Sequence, residues 1–548
     1  MTDRLAARLR SAVLALALLG AGLRTLQYLG APPLWLDEVA IARCILDLDL
    51  LPLLTQPLPH GQVSPKGFLL VEKLVAGTLG SSDLALRLFP FLASLVSLVA
   101  FRLLALRLLA GPGALAAMAL FALAPSLIYY GAAMKPYSSD AAICVLLLVF
   151  AFELAERPPP RARAFAIGLA GAALVWFSLP ALLVISGLGA LLFMRPRVLA
   201  DRSSRNALLP ALVPWGVSTV AAALVSVGSV TAEGMDHQAL FWGKGYPPST
   251  IDSPLDLFWP IGRITSLYGS RHWASLAYPE PSLFVVLTGL GFVALWRRRR
   301  EAALILLTPV AMAIVAAWLH RYPFKERLIL FLIPVFLLAI AAGIEWLHRW
   351  GSTFSPRAAA LGAAALVAFA ISPVAIRPPP YGREDVVPLI DHLRAQRRPG
   401  DAVYVFYAAA PAVDFYAARR GLAPEDYFVG GCHRGDSAGY LEELDQLRGR
   451  SRVWLLITHA SRHNERRDVL GYLETIGTRK QRLTTWPRAV SGKPQPADLY
   501  LYDLSDATRL RAASARTFPL HGPSDADWHV PCGQGPIAIV PGEFPLAR

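Results

Sequence analysis

Three short segments of this chain bring together side chains that could do chemistry, and each stands between long apolar runs. The first is Leu34-Trp35-Leu36-Asp37-Glu38, in which two adjacent carboxylates follow an apolar wall. A carboxylate in such a place is costly unless it is paired, solvated or used. Neighbouring helical residues point in different directions, so Asp37 and Glu38 are expected to have different roles. The plainer alternative to a used carboxylate is that Asp37 caps a short helix starting at residue 38. The second segment is Met134-Lys135-Pro136-Tyr137-Ser138-Ser139-Asp140. Proline, serines and an aspartate are ordinary helix-start residues, but Lys135 is a cation where the helix dipole disfavours one. It is explained if it binds an anion such as phosphate, which a helix N-terminus already attracts, or if it merely snorkels to water. The third is His320-Arg321-Tyr322-Pro323-Phe324-Lys325-Glu326-Arg327. Three basic residues, Arg321, Lys325 and Arg327, are out of place in a short outer loop; an anionic ligand is one account, and an ion pair with Glu326 or plain tolerance is the alternative.

Weaker candidates surround these. Gln56, His60, Lys66 and Arg87 lie in or near the segment that follows Asp37. His60 and Glu38 are the pair that would ligate a divalent metal, although a lone histidine without a spaced partner is poor grounds for one. Arg87 opens an apolar run and would mark a membrane interface. A long segment at 230–281, with Glu233, Asp236, His237 and Phe-Trp-Gly-Lys-Gly-Tyr-Pro-Pro, reads either as a cover over a site or as an aromatic belt. The cysteines are Cys44, Cys144, Cys432 and Cys532, with no Cys-x-x-Cys spacing and hence no zinc or redox motif. Cys432 and Cys532 are a disulfide candidate if their compartment is oxidising.

The elements that must position these residues are mostly membrane helices. Hydrophobic residues make up 55% of the 548 and charged ones 17%, too little polar surface for a soluble chain of this length. The apolar residues fall in runs near the roughly 20 residues that a bilayer core requires. Spans are read at 11–30, 84–106, 113–130, 138–155, 163–178, 180–194, 207–229, 282–296, 302–319, 327–346 and 357–375, with the first an uncleaved anchor. No mid-span charge is read, apart from Glu72 and Lys73, which belong to a proposed interfacial helix. Basic residues gather in alternate loops, including Arg102 and Arg107, 156–163, 195–205, 297–300 and 348–357, which places those loops in the cytoplasm. The net charge of +14 therefore orients a membrane protein and does not point to nucleic acid. The three chemical segments then share the outer side. The first outer loop, 31–83, is long and apolar, as two interfacial helices near 38–51 and 66–79 would be. After residue 376 strand-like runs at 401–407, 451–458 and 498–504 alternate with helix-like ones, predicting an extracytoplasmic α/β domain at 376–548 with a parallel sheet.

The chain resembles the GT-C superfamily of membrane glycosyltransferases, in particular the branch of family 39 and Rgt-like bacterial proteins, protein O-mannosyltransferases and the aminoarabinose transferase of lipid A. The resemblance rests on LWLDE at 34–38, GSSDLALRLFPFLASL at 80–95, LAPSLIYYGAAMKPYSSD at 123–140 and YPFKERLILFLIP at 322–334. It implies a GT-C fold over 1–375 with about eleven spans, at the plasma (inner) membrane. It also implies inverting transfer of a hexosyl or pentosyl group from a polyprenyl-phosphate sugar to a lipid, glycan or protein acceptor. Asp37 would be the base and Glu38 its assistant. Lys135 and Arg327 would face the donor phosphate, with Lys325 beside them; Asp140, Tyr137, His60, Lys66 and Arg87 would be further site residues.

Two other classes compete. A transporter or flippase predicts internal repeats, broken helices and ionisable groups at mid-membrane. A non-catalytic scaffold needs no concentrated acidic motif in its first loop. The gathering of polar residues at one face favours an interfacial enzyme.

Overall fold

A computed structural model describes the chain except residues 1–2, 60, 157–158, 229–241, 270–273, 434–436, 461–463, 490–495, 513 and 521–548. Every span read from the sequence falls on a helix, and among the described residues seven helices are long and apolar enough to cross a membrane. Breakers explain the irregular ones. The run at 113–130 divides into Pro112–Ala122 and Pro125–Tyr130, because Pro125 cannot continue the preceding helix. The run from 84 breaks at Arg87, between Asp83–Leu86 and Leu88–Leu108. The segment Glu326–Leu332 is a tight 3-10 stretch kinked at Ile329 before the helix Ile333–Gly351.

That last helix is the centre of the bundle: 94% of its most apolar stretch is buried. It touches Pro281–Arg298 backbone to backbone at Gly291 and Gly343, where a Cβ would collide with the carbonyls of Ala339 and Leu287. Without a hydrophobic drive between helices in lipid, such small-residue contacts are a main source of association. One mid-span charge escaped the sequence reading. Arg24, buried in the first helix, donates to the Ala122 and Phe121 carbonyls at 3.1 and 3.2 Å. It thereby satisfies the open C-terminal end of Pro112–Ala122, which is why the membrane tolerates it.

The two ends of the bundle differ. At one, helix ends are tied by Arg107–Glu156 at 2.8 Å and Arg298–Glu345 at 2.8 Å. The other carries the first loop, with helices Leu36–Asp47, Leu50–Thr55 and Lys66–Leu79, together with the C-terminal domain. The sheet of that domain has β1 (Ala402–Val405), β2 (Phe428–Val429), β3 (Val453–Ile457), β4 (Thr478–Thr485) and β5 (Ala497–Asp503), in the order β2-β1-β3-β5-β4. It is mixed, not parallel as expected: β1 pairs in parallel with β2 and β3, while β5 runs antiparallel to β3 and β4. The edge strand β4, Thr-Arg-Lys-Gln-Arg-Leu-Thr-Thr, is too charged to read as a buried strand, and such charge protects an edge from unwanted pairing.

One face of the sheet, through Val403, Val405, Trp454 and Leu456, shares a hydrophobic core with Leu34, Val39, Ile41 and Phe68 of the first loop. The other face packs on helices Ser437–Asp445 and Glu465–Ile476. The domain is thus seated on the first loop by a continuous apolar core. Polar ties at its margin include Tyr416, whose hydroxyl donates to Asp83 at 2.6 Å and accepts from the Leu34 N–H at 2.6 Å. Of the disulfide candidates, Cys432 packs at the edge of the second core, and Cys532 lies outside the described residues. Cys44 and Cys144 are free and buried.

Candidate active site

The helix Leu36–Asp47 begins just after Pro32-Pro33, and its entry is fixed by Glu38, not Asp37. Glu38 reaches back to accept from the Trp35 N–H at 3.2 Å, the return half of a capping interaction. Arg87 donates to that same oxygen at 3.3 Å, and the other oxygen accepts from the Met134 N–H at 2.6 Å. Arg87 also donates to the Pro32 carbonyl at 2.8 Å. Burial alone would depress the Arg87 guanidinium, but Glu38 and Asp83 more than reverse that and hold it above its ordinary value. Glu38 and Arg87 thus join three chain segments: the first loop, the break at Arg87, and the turn that follows Pro125–Tyr130.

Asp37 is therefore free of the cap and points elsewhere. Its carboxylate lies 3.3 Å from Lys135 Nζ and 3.2 Å from Arg327 Nη2. The side chains are nearly enclosed, at 14% exposure for Asp37, 9% for Lys135 and 15% for Arg327. Burial pushes the Asp37 carboxyl up, but Lys135, Arg327 and Arg383 outweigh it and bring it from 3.8 to about 2. Burial lowers the Lys135 ammonium below the lysine range, against the pull of Asp37. Lys135 does not snorkel: it is buried and donates to Gln62 Oε1 at 2.7 Å. Arg327 stands 5.0 Å from the Trp242 ring and 6.0 Å from that of Trp35, and it is hydrogen-bonded to Tyr137. Arg383, which leads into the C-terminal domain, stacks 3.9 Å over Trp35 and donates to the Tyr130 hydroxyl at 3.1 Å.

The segments around Asp37 thus bring it together with Lys135, Tyr137 and Arg327, as well as Glu38 and Arg87 just behind. Lys325 is held at the border, 3.7 Å from Glu326 and 5.6 Å from the Trp242 ring. Burial lowers its ammonium, opposed by Glu326. Asp140 is buried deeper and hydrogen-bonds Ser178. Lys66 reaches the Gln56 carbonyl at 3.5 Å. His60, Glu233, Asp236 and His237 lie outside the described residues. Among the described residues no group of three or more metal-ligating side chains occurs. Glu38, with N–H donors on both oxygens, does not fit metal ligation. The segment around Trp242 packs on the third cluster, where Phe324 N–H donates to the Gly245 carbonyl at 2.7 Å and Tyr246 stacks on His320.

Sequence reasoning missed Trp35, Gln62, Tyr130 and Arg383 as site residues, whereas Trp242 belongs to the segment read either as a cover over a site or as an aromatic belt. Trp35 stood inside the motif but was read as wall. Arg383 gave a signal only as a cation following the extended Pro378-Pro379-Pro380 run. The arrangement is a buried carboxylate facing Lys135, Arg327 and Arg383 between aromatic rings, at the end of an apolar bundle. Those cations could hold a phosphate, and the carboxylate could accept a proton.

No family model and no curated protein matches the chain. Among solved structures, it is similar to ArnT from Cupriavidus metallidurans bound to undecaprenyl phosphate, at 13% identity and a TM-score of 0.44, covering 91% of this chain and 98% of that one. It is also similar to the archaeal oligosaccharyltransferase AglB from Archaeoglobus fulgidus in complex with an inhibitory peptide and a dolichol-phosphate, at 13% identity and a TM-score of 0.47, covering 86% of this chain and 72% of that one.

Proposed function

We propose that this protein is a GT-C-type glycosyltransferase of the plasma membrane that moves a sugar from a polyprenyl-phosphate donor to an acceptor hydroxyl on the extracytoplasmic face, with inversion. The observation that carries this reading is Asp37 held between Lys135 and Arg327, at 3.3 and 3.2 Å, where an apolar bundle meets a polar domain. A polyprenyl phosphate has the matching two halves: a chain for the membrane and an anion for the cations.

The geometry suggests an exchange. Before the donor binds, Asp37 occupies its cations and is a poor base because they hold it near 2. A donor phosphate competes for Lys135 and Arg327 and loosens their grip on Asp37. The carboxyl then rises toward the range in which it accepts a proton. The acceptor oxygen bonds to the anomeric carbon as the carbon–phosphate oxygen bond breaks. The polyprenyl phosphate leaves with the bonding electrons, stabilised by Lys135 and Arg327, and the acceptor proton goes to Asp37. Glu38 acts by positioning: with Arg87 it holds the loop that aims Asp37. Lys325, at the border of the cluster, serves the approach of the anion.

The test uses full-length protein in lipid nanodiscs with undecaprenyl phosphate. Lys135→Ala should weaken its binding at least tenfold. Asp37→Asn should bind it as well as the parent or better, because a competing carboxylate is gone, and should lose turnover of native lipid-linked sugar by about 100-fold or more. Near-parental turnover in a folded Asp37→Asn protein would falsify the base assignment. Indifference of undecaprenyl phosphate to Lys135→Ala would remove the phosphate site.

A further inference from the structure

The C-terminal domain presents a polar pair to the same site that the chemistry above does not use. His459 follows β3, and its ring stacks on Trp35 with centroids 6.1 Å apart and planes within 12°. Its Nδ1 lies 3.0 Å from Glu384 Oε2 and 3.4 Å from Thr458 Oγ1, and Glu384 is buried beside Arg383. Among the described residues its Nε2 is buried without a hydrogen-bond partner. Buried polar atoms are nearly always paired, so this one asks for an explanation. The backbone adds a second one. His459 has φ of 57°, the left-handed region that a residue with a Cβ rarely adopts. Such strain persists where the surroundings require a side chain in one place.

Sheet topology points to the same spot. β1 and β3 are adjacent and parallel. The helix after β1, Ala410–Ala417, packs on the face shared with the first loop, whereas the helix after β3, Glu465–Ile476, packs on the opposite face. Successive connections leaving two neighbouring strands for opposite faces open a crevice at their carboxyl ends, and ligands of open α/β sheets bind there. His459 stands at the carboxyl end of β3, and Trp35 connects it to the residue pair Leu36-Asp37.

We propose that His459 and Glu384, against Trp35, form a carbohydrate-binding subsite through which the C-terminal domain holds the acceptor. The inference rests on the glycosyltransferase reading. Its chemistry separates two kinds of ligand. Neither His459 nor Glu384 is a permanent cation like an arginine, so the pair offers an anion little, and the phosphate belongs with Lys135 and Arg327. A ring nitrogen in need of a partner suits a neutral hydroxyl, which both donates and accepts. An aromatic ring alongside suits the C–H face of a sugar. His459 is thus a positioning residue for the acceptor, and the proton still goes to Asp37.

The experiment measures two ligands on the full-length protein in nanodiscs: undecaprenyl phosphate, and a panel of methyl α-mannoside, methyl α-glucoside and methyl β-galactoside followed by saturation-transfer NMR. The parent should bind at least one glycoside. His459→Phe, which keeps a ring against Trp35, and Glu384→Gln should weaken that glycoside at least tenfold and leave undecaprenyl phosphate within twofold. His459→Gly should melt no lower than the parent, since glycine accepts the backbone without strain, and should still lose the glycoside. That combination distinguishes a binding role from a structural one. Parental glycoside binding in both His459 variants overturns the subsite, as does a parent that binds undecaprenyl phosphate but none of the glycosides. Glycoside binding lost in the variants, with no undecaprenyl phosphate bound by the parent, upholds the subsite and overturns the donor reading alone.

Discussion

Two buried carboxylates, one at each end of the helical bundle, are clasped by two cations apiece. Glu345 pairs with Arg298 at 2.8 Å and Arg349 at 2.7 Å, and also accepts from the Ala110 N–H at 3.1 Å. Asp37 pairs with Lys135 and Arg327 at 3.3 and 3.2 Å. The geometry is alike and the surroundings are not. Around Glu345 the arginines are 42% and 51% exposed, so water already solvates their charges. Around Asp37 the cations are 9% and 15% exposed and stand among Trp35, Trp242 and Tyr137. Charges screened by water tie helix ends together and do little else. Charges kept from water interact several-fold more strongly with an incoming anion. The Glu345 end is a fastening, and under the proposed function the Asp37 end is where one anion replaces another.

The largest effect should come from breaking the support of the Asp37 end. Glu38→Gln leaves Arg87, at 5% exposure, without its opposite charge, and weakens the link to Met134 N–H. Removing one partner of a buried pair costs about 3–5 kcal/mol. Thermal unfolding in detergent should fall accordingly. A drop no larger than that of a surface substitution would show that the first loop does not depend on this pair.

A smaller effect concerns Asp37 itself. Its carboxyl is lowered from 3.8 to about 2 in the folded protein, so its contribution is fully present above pH 4 and is lost as pH falls through 2. The shift is worth on the order of 2 kcal/mol. Comparing melting of the parent and Asp37→Asn at pH 5 and at the acid limit of folding isolates it. The parent should lose stability on acidification that the variant does not. Equal slopes would mean that the cations do not hold Asp37 as the distances imply.

Much of this was legible in the sequence, for reasons that differ by element. The spans announced themselves by length and apolarity, and the interfacial helices by period within a loop too greasy for water. Lys135 was conspicuous because a cation sits badly at a helix N-terminus. The different roles of Asp37 and Glu38 followed from their angular separation, but which would be the support depended on Met134 N–H and Arg87, 96 and 49 residues away in the chain. Arg383 and His459 were invisible for the same reason: only docking of the C-terminal domain brings them to Trp35. The expectation of a parallel sheet failed at β5, because alternation of strands and helices says nothing about the direction of a strand that returns by a hairpin from an edge as charged as β4. Arg24 was lost inside an apolar run, where its partners are carbonyls, which no residue pattern displays.

The smallest expected effect gives the most direct comparison of the two ends. Arg349→Ala removes a half-exposed cation from Glu345 and leaves Arg298 and the Ala110 N–H in place. Exposed pairs are worth about 1 kcal/mol or less, so melting should barely move and turnover of native lipid-linked sugar should stay within twofold. Arg327→Ala makes the matching cut at the other end, removing one of two cations from Asp37. There, undecaprenyl phosphate binding should weaken at least tenfold, because an enclosed charge has no water to replace it. Measured side by side in the same nanodiscs, the two variants separate a fastening from a binding site. If they lowered turnover equally, the contrast in exposure would not be what distinguishes the two ends.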